Sequence, residues 1–164
     1  MTFRVKVPLF VRSQHHRHRT WSYNEISRRY TDFDIQFYEP RLFRTQHESN
    51  RQASNIEDLF DPLLTNLASA AESMKRHHEA SLQLFEELIN AGVCREQARG
   101  VLPQSMYTEY YASANLNNIL KFIDLRTHEG AQWEIQEMAK GMLKIVEKLY
   151  PVTVGAYREI RGSD

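Results

Sequence analysis

Arg17-His18-Arg19 opens a run of fourteen residues that continues Thr20-Trp21-Ser22-Tyr23-Asn24-Glu25-Ile26-Ser27-Arg28-Arg29-Tyr30, in which cations, hydroxyls and a carboxylate crowd together. Side chains of these types at this density suit a polyanionic ligand. The two guanidinium groups are permanently charged planar forks that match phosphate or carboxylate oxygens, and His18 between them donates hydrogen bonds or stacks. Glu25 and Ser27 add an acceptor and a donor for which a solvated basic turn has no need.

Competing chemistries explain the run less well. Basic residues interleaved with Trp21, Tyr23 and Tyr30 are a pattern that grips phosphates and stacks bases. The chain as a whole, however, has zero formal net charge, and its remainder is acidic, which disfavours nucleic acid. His15, His16 and His18 stand at i, i+1 and i+3, which a helix does not aim at one centre, and no acidic or cysteine ligand follows at a familiar spacing; no metal site is expected. Ser27 has no evident His and Asp to activate it, so hydrogen bonding to a ligand is favoured over covalent chemistry. Cys94, beside Val93, reads as a buried structural thiol, and His77-His78, next to Lys75 and Arg76, as part of a solvated face.

A second constellation lies downstream. Arg99 precedes Val101-Leu102-Pro103; then come Asn115-Leu116-Asn117-Asn118, Phe122, Asp124-Leu125-Arg126 and Ala131-Gln132-Trp133-Glu134-Ile135. On a helix turning about 100° per residue, Asn115 and Arg126 fall within about 20° of one face. Asn117 and Lys121, at i and i+4, share a different face. Polar groups on two faces fit two ligands or two neighbouring chains; the plainer alternative is a surface helix with Leu120 and Phe122 packed inward.

Several elements must position these residues. Phe3, Val5, Val7 and Leu9 alternate with Arg4, Lys6 and Pro8, the pattern of a half-buried strand over Phe3 to Val11 that has no hairpin partner beside it in sequence. Residues 31 to 55 are polar and irregular and read as a long loop near the site. From Ile56 to Ala91 apolar residues recur every three or four positions (Leu59, Leu63, Leu67, Ala70, Met74, then Leu82, Phe85, Leu88, Ile89), which predicts one long helix or two abutting ones stopped by Gly92. A short helix over Arg95 to Val101 would end before Pro103. Met106 to Ala112 suits a second strand, and Asn115 an N-cap for a helix reaching about Arg126. Ala131 to Leu149 is amphipathic, with Pro151 beyond its end, and a last short helix follows from Val152.

At 164 residues the chain fits one domain with one core. Residues 1–51 carry ten basic against five acidic side chains and residues 52–164 eleven against sixteen, so an anion would dock at the front of the chain. A single cysteine excludes an intrachain disulfide and points to a reducing compartment. No apolar run approaches the roughly 20 residues needed to span a bilayer, and Val7-Pro8-Leu9-Phe10-Val11 is too short for a secretory segment. A cytoplasmic protein that binds neither membrane nor nucleic acid is expected.

The Arg-His-Arg followed, after seven intervening residues, by Ser27, with Asn24-Glu25 between, resembles the signature of the flavin-dependent thymidylate synthases. Ala98-Arg99-Gly100-Val101-Leu102-Pro103 and the Asn115 to Arg126 helix are similar to supporting motifs of that family, in the same order. The resemblance implies an α+β fold, a mixed sheet packed with long helices, assembled as a homotetramer whose active sites are shared between chains. It implies reductive methylation of dUMP to dTMP with methylenetetrahydrofolate, FAD as hydride carrier and NADPH as reductant. Carried over by position, Arg17, His18, Arg19, Glu25, Asn115, Asn117 and Lys121 would hold FAD. Gln14, Arg17, Glu25, Ser27, Arg29, Arg99 and Arg126 would bind dUMP, and Arg126 would be the activating catalytic residue. Family members usually have several dozen residues before the first strand, so residues 1–164 are expected to be a single, N-terminally incomplete domain. The alternative is a non-catalytic truncated remnant, or an anion- or nucleotide-binding module.

Overall fold

The computed structural model describes residues 1–27, 34–50 and 53–161. Its elements run β1 (Thr2–Pro8), α1 (Leu9–His15), β2 (Ser22–Glu25), β3 (Phe43–Gln46), β4 (Ser54–Phe60), α2 (Ala70–Asn90), α3 (Arg95–Ala98), a 3-10 turn (Arg99–Val101), β5 (Tyr107–Ser113), α4 (Leu116–Thr127), α5 (Trp133–Leu149) and α6 (Pro151–Arg161). Sheet and helix are thus combined, as the sequence implied, and β1 and β2 each pair with β5 antiparallel. The chain divides into two compact units, residues 1–46 with 55–114, and residues 47–54 with 115–164.

In the first unit β5 lies between β1 and β2. β1 finds its partner 105 residues away: Phe3 faces Ala112, Val5 faces Tyr110 and Pro8 faces Tyr107. Its alternation sends Phe3 and Val5 into the core, while Arg4 pairs with Glu109 and Lys6 with Gln36 on the outer face. The strand ends at Pro8 rather than Val11, and Leu9 to Val11 open α1 instead. Proline brings no N–H to a ladder but has a φ of −63° suited to a helix entrance, so it serves as the N-cap of α1. A core of Phe85, Ala98, Leu102 and Met106, with Leu9, Phe37, Leu82 and Val101 packed against it, seats α2 beside the segment leading into β5.

Two expectations need correction here. Residues 31 to 55 are not all loop, because β3 and β4 pair as a two-stranded sheet tied by Thr45 Oγ1 donating to Asp58 Oδ2 at 2.7 Å. The helix expected from Ile56 begins only at Ala70. Pro62 would break an α-helical ladder there, Leu67 has a φ of 61°, and the leucines that suggested a stripe stand exposed, Leu63 at 70% and Leu67 at 82%. The true start is marked by Ser69, whose hydroxyl accepts from the Glu72 N–H at 3.2 Å. Gly92, at a φ of 85°, follows the helix end in the left-handed conformation expected of a terminating glycine.

The second unit is helical. Asn115 caps α4 as its sequence suggested, with Oδ1 accepting from the Asn118 N–H at 2.9 Å. Ile119, Phe122 and Ile123 of α4 are buried, as are Ile135, Ala139, Met142 and Val146 of α5 and Val154 of α6. The spacing of three and four residues gives each of the two longer helices one apolar face. Among the described residues no helix is long and apolar enough to cross a membrane.

Candidate functional site

In the first unit the cationic run is presented by α1, the turn after it and β2. The helix unwinds through tight turns, with the His16 N–H on the Arg12 carbonyl at 2.9 Å, His18 on His15 at 3.0 Å and Trp21 on His18 at 3.3 Å. Arg17, His18 and Arg19 project from these turns. What fixes them is a buried aromatic cluster behind. His15 has no exposed surface and shares a 2.9 Å hydrogen bond with the Tyr110 hydroxyl, and Trp21 meets its ring edge-on at 4.7 Å. Tyr23 lies against the His16 ring at 4.0 Å and donates its hydroxyl to the carbonyls of His15 at 2.8 Å and His18 at 3.1 Å. Burial pushes the Tyr23 hydroxyl up to about 12 and the Tyr110 hydroxyl higher still, so both stay protonated at neutral pH.

Arg12, Ser13, His16, Arg17 and Arg19 line an open groove of about 310 Å³. His16 is pushed below the ordinary histidine value, chiefly by burial and secondly by the Arg12 charge, against an opposing pull from Glu25. It is therefore neutral at pH 7, and the groove's charge rests on its guanidinium groups. Glu25, two residues beyond Tyr23 on the same face of β2, is held through one oxygen. Its Oε1 accepts from Arg12 Nε at 3.0 Å and from the buried Thr108 hydroxyl at 2.7 Å. Among the described residues Oε2 has no partner.

The sequence-derived residues are thus brought together in part. Gln14, Arg17, His18, Arg19 and Glu25 belong to α1, its following turns and the end of β2, and Ser27 lies two residues beyond that strand. Arg99 stands exposed on a separate element of the same unit, at the start of the 3-10 turn. Asn115, Asn117, Lys121 and Arg126 follow one another along α4 in the second unit; Asn117 and Lys121 are exposed, and burial pushes the half-buried Arg126 guanidinium below the usual arginine value. Arg29 lies outside the described residues.

Sequence reasoning missed Arg12 and Thr108, the two partners of Glu25. Arg12 and His16 stand at i and i+4, which was a legible sign of a shared face. The Thr108 contact crosses 83 residues and left no local trace. Two expectations also fail on burial: Cys94 is exposed rather than buried, and His78 is not on a solvated face. His78 is 2% exposed, stacked on Phe37 at 4.6 Å, with Nδ1 on Glu39 Oε1 at 2.9 Å and Nε2 on the Ser105 hydroxyl at 2.6 Å. The order Ser, His, Glu is that of a hydrolase relay, but an imidazole covered in this way has no room to pass a proton to a substrate. The three groups instead clamp α2 to the segments around Glu39 and Ser105.

Comparison with known proteins finds relatives and a structural neighbour. The family model for thymidylate synthase complementing protein matches residues 1–152. The flavin-dependent thymidylate synthase of Thermus thermophilus is 40% identical over 157 residues, covering 96% of this chain and 56% of the relative. That of Aquifex aeolicus is 43% identical over 151 residues, covering 88% of this chain and 44% of the relative. The chain thus spans about half the length of these curated relatives. A crystal structure of the UMP/dUMP methylase PolB from Streptomyces cacaoi, bound with 5-Br UMP, superposes with a TM-score of 0.81 at 34% identity, over 96% of this chain and 72% of that one.

Proposed function

The chain belongs to the thymidylate synthase complementing protein family, and from that premise we propose that it takes part in the reductive methylation of dUMP to dTMP, with a flavin as its cofactor. The observation that carries the reading is the guanidinium-lined groove joined through Arg12 to the one-sided acceptor Glu25. Fixed cations beside a pinned carboxylate suit a ligand with both phosphate oxygens and N–H donors, and a flavin dinucleotide and a uracil nucleotide each have both. The donor set therefore fits the flavin.

Arg17, His18 and Arg19 would hold FAD, assisted by Glu25, by Lys121, and by Asn115 and Asn117. Capping α4 occupies Asn115 Oδ1 but leaves its side-chain NH₂ group as a donor. Gln14, Arg17, Glu25, Ser27, Arg29, Arg99 and Arg126 would bind dUMP. When bound, the flavin supplies the hydride, with NADPH as reductant and methylenetetrahydrofolate as the source of the carbon. Arg126 does the electrostatic work: a guanidinium against the uracil ring favours the N3 anion and pushes electron density toward the carbon to be alkylated. Ser27 then acts as a hydrogen-bond donor to substrate, with no need for an enzyme nucleophile. The active assembly in this reading is a cytoplasmic homotetramer with active sites shared between subunits.

The test is dTMP formation from dUMP, methylenetetrahydrofolate and NADPH, alongside flavin absorbance of the purified protein. Arg126→Ala should lower kcat roughly a hundred- to a thousandfold, the scale of losing one electrostatic stabiliser, while flavin stays bound. Near-normal turnover would reject the role of Arg126. A wild-type protein that binds dUMP and flavin without product would favour the nucleotide-binding module.

A further inference from the structure

We infer that Arg12 is a phosphate-binding residue of this site: it is the third guanidinium of the groove and the side chain that couples the groove to Glu25. The inference rests on the reading above, in which Arg17, Arg19 and Glu25 receive ligand. Arg12 lies within α1, with His16 just beyond the helix at i+4, so the two side by side line the groove with Ser13, Arg17 and Arg19. That lining contains three guanidinium groups, an imidazole and a hydroxyl, and no carboxylate. A guanidinium has five N–H donors in a planar fork. Nε is engaged by Glu25 Oε1 at 3.0 Å, and the four N–H groups on the two Nη atoms have no partner among the described residues.

The ion pair does two things at once. Holding Nε fixes the plane of the fork, so less side-chain freedom is lost when an oxyanion arrives. It also offsets part of the Arg12 charge at long range, but not the directed N–H···O contacts that a phosphate oxygen accepts at close range. Neutral His16 next to it adds a hydrogen-bonding ring without further repulsion among the cations. The ligand chemistry is a phosphate ester, which could be the pyrophosphate of a flavin dinucleotide or the monophosphate of the uracil nucleotide.

Matched pairs of ligands distinguish the two sources: FAD against riboflavin, and dUMP against deoxyuridine, each titrated into the wild-type chain, Arg12→Gln and Arg12→Lys. Arg12→Gln should weaken the phosphate-bearing member of one pair about tenfold, the worth of one charge-assisted contact, and change its phosphate-free counterpart by less than about twofold. The pair that responds names the source. Arg12→Lys, which keeps the charge, should recover part of the loss. The affinity of Arg12→Gln should also fall less steeply with ionic strength than the wild type's, a readout that a purely structural role would leave unmoved. Equal loss for both members of each pair, or no loss in either, overturns the assignment. A wild-type protein that binds neither FAD nor dUMP overturns the functional reading and this inference together, whereas wild-type binding that Arg12→Gln leaves intact sinks this inference alone.

Discussion

Tyr23→Phe isolates the hydroxyl that straps the cationic turn. The phenylalanine ring keeps the stack on His16, so the change deletes one O–H and nothing else. That single proton is shared between the carbonyls of His15 at 2.8 Å and His18 at 3.1 Å. Neither carbonyl is orphaned by the loss, because each already accepts a backbone N–H, from His18 and Trp21 respectively. The cost therefore belongs near about 1 kcal/mol for a lost hydrogen bond rather than the roughly 1 to 3 kcal/mol of each stranded buried group. In a chain of this size that corresponds to a fall of about 2–4 °C in Tm. Urea unfolding should show a lower midpoint with an unchanged slope.

The pH dependence supplies an independent sign. The folded-state hydroxyl titrates at about 12, above the ordinary tyrosine value of 10.0, because burial disfavours the phenolate. A group whose folded pKa is raised contributes stability that is fully present below the unfolded pKa and is lost as pH rises through the folded one. The wild-type advantage over Tyr23→Phe should hold up to about pH 10 and shrink between about pH 10 and 12. Tyr107 and Tyr110 are also pushed up, chiefly by burial, a contribution that both proteins share. A midpoint unchanged by the substitution, or an advantage that grows between those pH values, would refute the strap.

Two further perturbations address the frame of the site. Asn115→Ala removes the side-chain cap of α4 and should cost about 1 kcal/mol in urea unfolding, with Asn115→Asp close to wild type; equal stability of the alanine variant would show the cap to be idle. His78→Leu fills the site under Phe37 but strands the half-buried Ser105 hydroxyl, so a loss of roughly 1 to 3 kcal/mol is expected. A more stable His78→Leu protein would show that the Glu39, His78, Ser105 clamp carries no stabilising weight.

Much of the frame was legible before folding because its signals are local. Asn115 as a cap, Gly92 as a stop and the spacing of Ile135 and Met142 each act within one or two turns of chain, and each appears where its chemistry placed it, whereas Ile145 and Leu149, which the same spacing assigned to the apolar face, stand exposed. Local signals also misled. The leucine spacing from Leu59 to Leu67 has a helical period, yet Pro62 and the positive φ of Leu67 forbid the helix, and the residues stand exposed. The strand β2 carried no sequence warning, since four polar-rich residues become a strand only when β5 supplies the ladder.

The sequence by itself determined the inventory of the proposed site: Arg17, Arg19, Glu25 and Ser27 fall within eleven residues, and their charge and donor chemistry is fixed by residue type alone. It determined the family as well, because the spacing of those residues is a one-dimensional property. Only the tertiary structure decided how they are held. That Glu25 is pinned through one oxygen follows from Arg12 thirteen residues before it and Thr108 eighty-three after it. That the turn of Arg17 and His18 is backed by packed rings follows from Tyr110 and Trp21 meeting a buried His15. Contacts of this kind join residues with no periodic relation in the chain, so their geometry exists only once the β1, β5, β2 sheet has assembled.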